Sequence, residues 1–277
     1  MSYAISLSGL QNAQTELNVI GNNISNADTN GFKQSSVEFS NLVAASAYSN
    51  PKDTVGIGST VASIDQDFTQ GPIQQTGSAL DLAVSGDGFF SVKSTSTGQT
   101  SYTRNGDFSL DSTTAATSGS SYIVDSNGNR LQVLPTSATG TVSSTTPTDA
   151  TVPATDTAGS AFSGVTVAAN GNVSASYADG ASTVIGKVAL AAFASPDGLQ
   201  QQGSADYTAT GVSGTATYGQ PGSGQYGTLL SGSLEASNVD LSSEMVNLIT
   251  AQQYFQANAK AIDTNTTISE AIINLHS

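Results

Sequence analysis

Four groups of residues have the types and spacing that chemistry could use. Gly222-Ser223-Gly224-Gln225-Tyr226-Gly227 has the GxGxxG spacing of a dinucleotide loop, in which glycines let backbone N–H groups close on a pyrophosphate. Such a loop must open a helix at once, and the next helical pattern waits until Leu241, so the segment reads as a flexible connector. Asp125, Asn127 and Asn129 repeat the first ligand positions of a calcium loop, but Arg130 stands where glycine is needed and Thr136 where the bidentate Glu belongs. Asp65 and Asp67 share one face of a strand, as a catalytic carboxylate pair would, yet they lie near a linker and read as solvated acids. His276 is the single histidine and the penultimate residue, where a Ser-His-Asp relay would rest on a fraying tail. The expectation is therefore no catalytic residue, no metal site, no cofactor and no enzyme.

Composition narrows the class further. Only 10% of residues are charged, against about a quarter in an ordinary soluble domain. Seven basic residues face twenty-one acidic ones, for a net charge of -14 and no Lys or Arg cluster, which argues against nucleic acid as a partner. Without cysteine there is no disulfide, thiol nucleophile or cysteine metal site. The longest apolar run, Val188 to Ala194, is strand-sized, so membrane insertion is not expected. The opening residues are broken by Ser2, Ser6 and Ser8 before the first basic residue, Lys33, and do not read as a secretory leader.

The elements that would position any site fall into three parts. At the start, Tyr3, Leu10, Leu17 and Ile24 recur every seven residues, with Ala13 and Ile20 on the same helical face. At the end, Leu241, Leu248, Phe255 and Ile262 repeat that interval, joined by Met245 and Ala259. The first helix should stop in Asn26-Ala27-Asp28-Thr29-Asn30-Gly31, where Gly31 can adopt the left-handed conformation. The last should start at Asp240 as N-cap, with Glu244 in the first turn, and reach Leu275, a length of about 52 Å. Paired with each other, 1–32 and 236–277 would form a coiled-coil stalk. Val19, Val246, Ile249 and Tyr254 lie off the seam and ask for neighbours from other chains.

Between the ends the apolar period changes to two, predicting a linker region at 33–76 and a mostly antiparallel β domain at 77–235, hence an α+β fold. Asn105-Gly106, Asn127-Gly128, Asn170-Gly171 and Asp179-Gly180 are two-residue hairpin dipeptides, whose central residues both need positive φ. The second would set Asp125 opposite Arg130 and Val124 opposite Leu131, and the first would set Arg104 beside Asp107. Residues 135–161 contain no Ile, Leu or aromatic residue and are dominated by Thr, Ser and Ala with three prolines, so this low-complexity stretch reads as a surface loop or edge excursion, with room for a short strand at 141–144.

Several segments resemble a known family. Asn22-Asn23-Ile24-Ser25-Asn26, with Thr29-Asn30-Gly31-Phe32-Lys33, is similar to the N-terminal signature of the bacterial flagellar rod and hook proteins. Glu235-Ala236-Ser237-Asn238-Val239-Asp240-Leu241, continuing through Glu244-Met245-Val246-Asn247 and Ala251-Gln252, resembles their C-terminal signature. Gly88-Phe89-Phe90, Tyr102 to Phe108 and Gly224 to Leu229 resemble interior pieces. Within the family, Asn238 to Leu241 and Phe193 to Leu199 are most like the hook branch, although the usual outer inserted β domain has no counterpart beyond 135–161 and Gln253 stands where Arg is frequent. The resemblance implies a subunit exported by the flagellar type III apparatus that polymerises with itself into a helical tube, the hook, outside the cell. It would adjoin rod proteins, the hook cap and hook-filament junction proteins, and pass torque from motor to filament. The alternative is a distal rod subunit in the periplasmic basal body, and the alternative of another class is a secreted β-rich adhesin.

Overall fold

The computed structural model describes residues 2–43, 56–111, 120–137 and 140–274. They form two compact units, one built from 1–27, 34–67 and 239–277, the other from 28–33 and 68–238. Taken together the chain is α+β, with α-helices near its two ends and a mostly antiparallel sheet domain in the sequence between them.

In the first unit, α1 (Ser2–Ser25) and α2 (Leu241–Asn274) lie against each other. The approach is close at Gly9, where a Cβ would stand 2.6 Å from Asn258 Oδ1. Asp240 caps α2: its Oδ1 accepts the N–H of Ser242 at 2.8 Å and of Ser243 at 3.3 Å, satisfying two of the donors a helix start leaves open. The segment read as a linker instead carries strands β1 (Ser35–Val43) and β2 (Gly56–Gln66), an antiparallel ribbon with Val37 opposite Ile64 and two bulges. Its alternation is faint because a two-stranded ribbon has no enclosed face, and Phe39, Leu42, Ile57 and Ile64 are all exposed. Its connecting residues lie outside the described ones.

The second unit contains β3 (Ile73–Gln75), β4 (Leu82–Ser85), β5 (Phe89–Lys93), β6 (Thr100–Thr103), β7 (Ser109–Asp111), β8 (Ser120–Val124) and β9 (Arg130–Leu134). After these come β10 (Thr148–Asp149), β11 (Thr151–Pro153), β12 (Phe162–Val167), β13 (Asn172–Tyr177), β14 (Ser182–Val188) and β15 (Leu190–Ala192). The remainder are β16 (Gln200–Gly203), β17 (Asp206–Thr208), β18 (Thr217–Gly219), β19 (Thr228–Ser231) and β20 (Ser233–Glu235). The main path of the large sheet runs β12-β13-β14-β9-β5-β6-β17-β16, while β19 pairs β4 and β20 pairs β3. Leu82, Val84, Phe90, Ile123, Leu131 and Leu190 fill one core. A second gathers Phe68, Phe89, Tyr102, Phe193 and Tyr207, whose rings meet edge to face at 4.8 to 6.1 Å.

The hairpins differ from the sequence expectation in an instructive way. At 128, 171 and 180 glycine alone has positive φ, and the residue before it does not. Each loop is thus a type I turn closed by a left-handed glycine, longer than two residues. Around Asn127-Gly128 the register moves by one, so Val124 faces Arg130, because the Asp125 carboxylate accepts the N–H of Asn127 and of Asn129 at 2.8 Å and stabilises the longer loop. Arg130 turns instead to Asp149 at 3.0 Å and stacks on Tyr122. Asn105-Gly106 forms no hairpin at all. Its glycine lets β4 pass, since a Cβ there would fall 1.6 Å from the Leu82 carbonyl oxygen. Arg104 accordingly points away from Asp107 to Glu235. Within 135–161, β10 and β11 add to β9 and β8, and Ala150 and Val152 are fully buried: small side chains suffice where the strand only tops up an existing core. The 222–227 glycine loop runs into β19 with Gly222 N–H bonded to Gly227 O at 2.9 Å, so no helix opens there.

Two predictions follow from these contacts. Gly106→Ala forces backbone apart and should cost about 2 kcal/mol or more in urea unfolding, whereas Gly128→Ala, with open space around it and only its φ of +77 to strain, should cost about 1 kcal/mol. Equal losses would contradict the close-approach reading. The Asp206 carboxyl, desolvated by burial and near Asp125, is pushed up to about 6. Because its folded value exceeds the unfolded one near 3.9, the ionised form opposes folding, and stability from this group should rise as pH falls from above 6 toward 4. Asp206→Asn should flatten that slope in a thermal-melt pH series, and an unchanged slope would exclude Asp206 as its source.

Candidate functional site

Two regions carry the sequence-predicted residues. The first is the helical face of the first unit. Ile20 and Ala13 are buried, Leu10, Leu17 and Ile24 half-buried, while Tyr3 is exposed. On α2, Leu248, Phe255 and Ile262 are half-buried and Ala251 is buried, but Leu241 and Met245 stand exposed. Off the seam, Val246 is 63% exposed, Ile249 55% and Tyr254 57%. A helix surface with apolar side chains on more than one side is not satisfied by one partner helix.

Where the two helices begin and end, a buried carboxylate organises polar groups. Glu244, in the first turn of α2, accepts from Gln34 Nε2 at 2.7 Å and from Asn23 Nδ2 at 3.4 Å. Asn23 is itself buried and brackets β1: its Nδ2 donates to Ser35 O at 2.8 Å and its Oδ1 accepts Ser35 N–H at 3.0 Å. One Asn thus fixes the exit of α1, the entry of β1 and the start of α2. Burial also pushes the carboxyl of Glu16, on the rim of the same region, upward. Asn22 O accepts the N–H and Nδ2 of Asn26 as α1 ends.

The second region lies wholly in the other unit. Gly31, with φ +69, donates its N–H to Glu235 O at 2.8 Å, and a Cβ on it would collide with Asn105 N at 2.4 Å. Phe32 and Lys33 follow it into the interior. Lys33 Nζ reaches Glu235 Oε1 at 2.6 Å and Thr69 O at 2.6 Å, while Arg104 Nη1 meets Glu235 Oε2 at 3.3 Å. Gly71 N–H adds a bond to Glu235 Oε1 at 3.0 Å. Both Lys33 and Glu235 have no exposed side-chain surface. Burial pulls the Arg104 guanidinium below its ordinary value, and Glu235 opposes that shift. Ser237 is buried and Asn238 Nδ2 donates to Thr69 O at 3.3 Å; Val239, half-buried, already belongs to the first unit, ahead of the Asp240 cap.

The sequence reading gave no role to Glu235, Arg104, Gln34 or Phe68, which the structure places at these contacts. The available signal was scarcity: with seven basic residues in the chain, a Lys two residues after a structural glycine and an Arg between two strands each needed a reason.

Three family descriptions match parts of this chain. Residues 5–33 match the family described as flagella basal body rod protein, 83–175 the flagellar hook protein FlgE/F/G D1 domain, and 230–275 the flagellar basal body rod FlgEFG protein C-terminal family. The flagellar basal-body rod protein FlgG of Bacillus subtilis is 37% identical over 282 residues, covering 97% of this chain and 96% of that protein. The flagellar hook protein FlgE of Salmonella typhimurium is 30% identical over 410 aligned residues, covering 99% of this chain and 100% of that protein. FlgG of Borreliella burgdorferi is 31% identical, covering 93% and 92%.

The Glu235 cluster predicts an order of effects. Glu235→Gln leaves two buried cations without their carboxylate and should cost about 3 to 5 kcal/mol in urea unfolding. Lys33→Met leaves a one-to-one pair of Arg104 with Glu235 and should cost less. The reverse order would mean that Lys33 is held chiefly by Thr69 and that the shared carboxylate matters little.

Proposed function

Because this chain belongs to the bacterial flagellar rod and hook protein family, whose members are structural rather than enzymatic, we propose that it is a subunit of the hook that polymerises into a helical tube. As a structural subunit of the flagellum, it needs a surface that repeats from copy to copy. The observation that carries the reading is the double-sided apolar helix pair, with Val246, Ile249 and Tyr254 exposed beside a half-buried seam. In the tube, α1 and α2 pair as a coiled coil through Leu10, Leu17, Ile20, Ile24, Leu248, Phe255 and Ile262. Tyr3, Leu241 and Met245 meet neighbouring copies. The terminal helices thereby form the polymerising domain, and the β-rich unit forms the wall.

A hook rotates while bent, so contacts between copies must break and re-form at each turn. The ion pairs among the described residues, Lys33 and Arg104 with Glu235 and Arg130 with Asp149, are all internal to the β-rich unit. Contacts between copies that rest on weakly charged Ser, Thr, Asn and Gly surface suit such repeated sliding. Export through the flagellar type III apparatus, and junctions with rod, hook-cap and hook-filament proteins, follow from this place in the flagellum.

One observation favours a distal rod subunit instead. The Bacillus rod relative aligns nearly end to end over 282 residues, whereas the Salmonella hook relative needs 410, leaving long hook stretches with no counterpart here. Imaging tubes assembled from the purified chain separates the two, since a hook gives curved, flexible tubes and a rod straight, stiff ones.

The polymer reading is tested by Leu17→Asp and Phe255→Asp. Each places a carboxylate in the helix seam, a penalty on the order of several kcal/mol once desolvated. The β-rich unit should keep its circular dichroism and melting transition, while tubes and swimming are lost. Normal tubes from either variant would remove the helices as the polymerisation element.

A further inference from the structure

A helical tube needs two different surfaces on each subunit. A patch that pairs with itself stops at a dimer, whereas a contact between unlike patches repeats from copy to copy. The helical unit carries two such surfaces. One is a ridge on the first turns of α2, where Leu241, Met245 and Ile249 recur at intervals of four and all stand exposed, with Val246 beside them. It runs for about 12 Å along the helix. The other is a cleft of about 390 Å³ lined by α1, the β1–β2 ribbon and α2. Small residues of α1, Gly9 and the buried Ala13, leave it depth, and the exposed rings of Phe39 and Tyr254 form its apolar walls. Met245 and Tyr254 lie nine residues apart on one straight element, about 14 Å, so a ridge cannot fill the cleft of its own copy.

We propose that the ridge of Leu241, Met245 and Ile249 on one copy seats in the cleft between Phe39 and Tyr254 of a second copy. Charge selects that occupant. Across residues 2–25 and 245–259 the sole charged side chain is Glu16, which lines the cleft. At -14 per subunit, a neighbour that brought an acidic surface to Glu16 would be repelled. The ridge brings no exposed charge, because Glu244, the one charged residue between 241 and 259, is buried. Ridge and cleft are therefore the surfaces of the helical unit that two copies can join with the least like-charge opposition. Tyr254 belongs to both the cleft and the exposed side of the helix pair, so the contact continues the polymerising face. The inference rests on the polymer reading above and names the two surfaces that meet.

Two measurements test the contact. The first uses the unaltered subunit with hydrogen peroxide, which passes one oxygen atom to the Met245 thioether and leaves water, and with tetranitromethane, which nitrates accessible tyrosine rings such as Tyr254. Read by peptide mass spectrometry, both residues should react about tenfold or more slowly in tubes than in free subunits. The second exploits the absence of cysteine from the chain. Val246→Cys with Asn258→Cys puts one thiol beside the ridge and one in the cleft, about 18 Å apart on the same helix, too far for a short bismaleimide to join within a copy. Tubes of the double variant should yield a ladder of covalent dimers, trimers and longer chains, and mixed tubes of the two single variants should yield dimers only. Val246→Cys alone should stay monomeric. A ladder missing from tubes that form normally, or dimers from Val246→Cys alone, which would set ridge against ridge, overturns the contact. If the double variant forms no tubes, the unaltered subunit decides: Met245 or Tyr254 as reactive in tubes as in solution overturns it equally. An unaltered subunit that forms no tube removes the polymer reading itself, and this contact with it.

Discussion

A helix can bury an apolar stripe only against something, and two helices at the ends of one chain can bury only the stripes that face each other. Everything distinctive about this protein follows from that constraint. Leu248, Phe255 and Ile262 of α2 turn toward α1 and become half-buried, yet Val246, Ile249, Tyr254 and Ile272 remain in water. About 51 Å of helix is therefore left with an unsatisfied side, which a monomer has no means to cover. In the polymer proposed above, repetition of the same subunit would supply the missing partner, and the low charge density of the chain would keep that repetition from being opposed by many desolvated ions.

Two carboxylates nine residues apart anchor the chain where it passes between its units. Glu235 takes Lys33 in the β-rich unit, and Glu244 takes Gln34 in the helical unit. Neighbouring residues of the N-terminal segment thus serve different acids, one within each unit. Both acids lie in the C-terminal segment. Each of these contacts joins the N-terminal segment to residues more than 200 positions further along the chain.

The legible parts of this structure were those with a short repeat. Seven-residue spacing places Leu10, Leu17 and Ile24 on one side of α1 from the sequence alone, and the Asp240 cap and Gly31 turn are local chemistry confined to a few residues. The β1–β2 ribbon was obscured because neither of its faces is enclosed, so no clean alternation marks Ser35 to Gln66. Asn105-Gly106 carried a turn signal for a different reason, the passage of β4 past a position with no Cβ, and a dipeptide does not distinguish the two uses of glycine. Glu235 with Lys33 and Arg104 spans contacts 202 and 131 residues apart, beyond any periodic signal. Phe68 belongs to the same category, packing on Phe89 and Tyr207 from far along the chain.

The central claim is that the exposed side of the helix pair is the surface buried on polymerisation, and amide hydrogen exchange on the free subunit and on assembled tubes tests it most directly. The account predicts that α2 amides from Leu241 to Asn274 exchange readily in the free subunit and slow by orders of magnitude in the tube, while β5, β9 and β14 are protected in both. If α2 were as protected in the free subunit as in the tube, the helix pair would already be satisfied alone, and the polymer would have to be held by another surface.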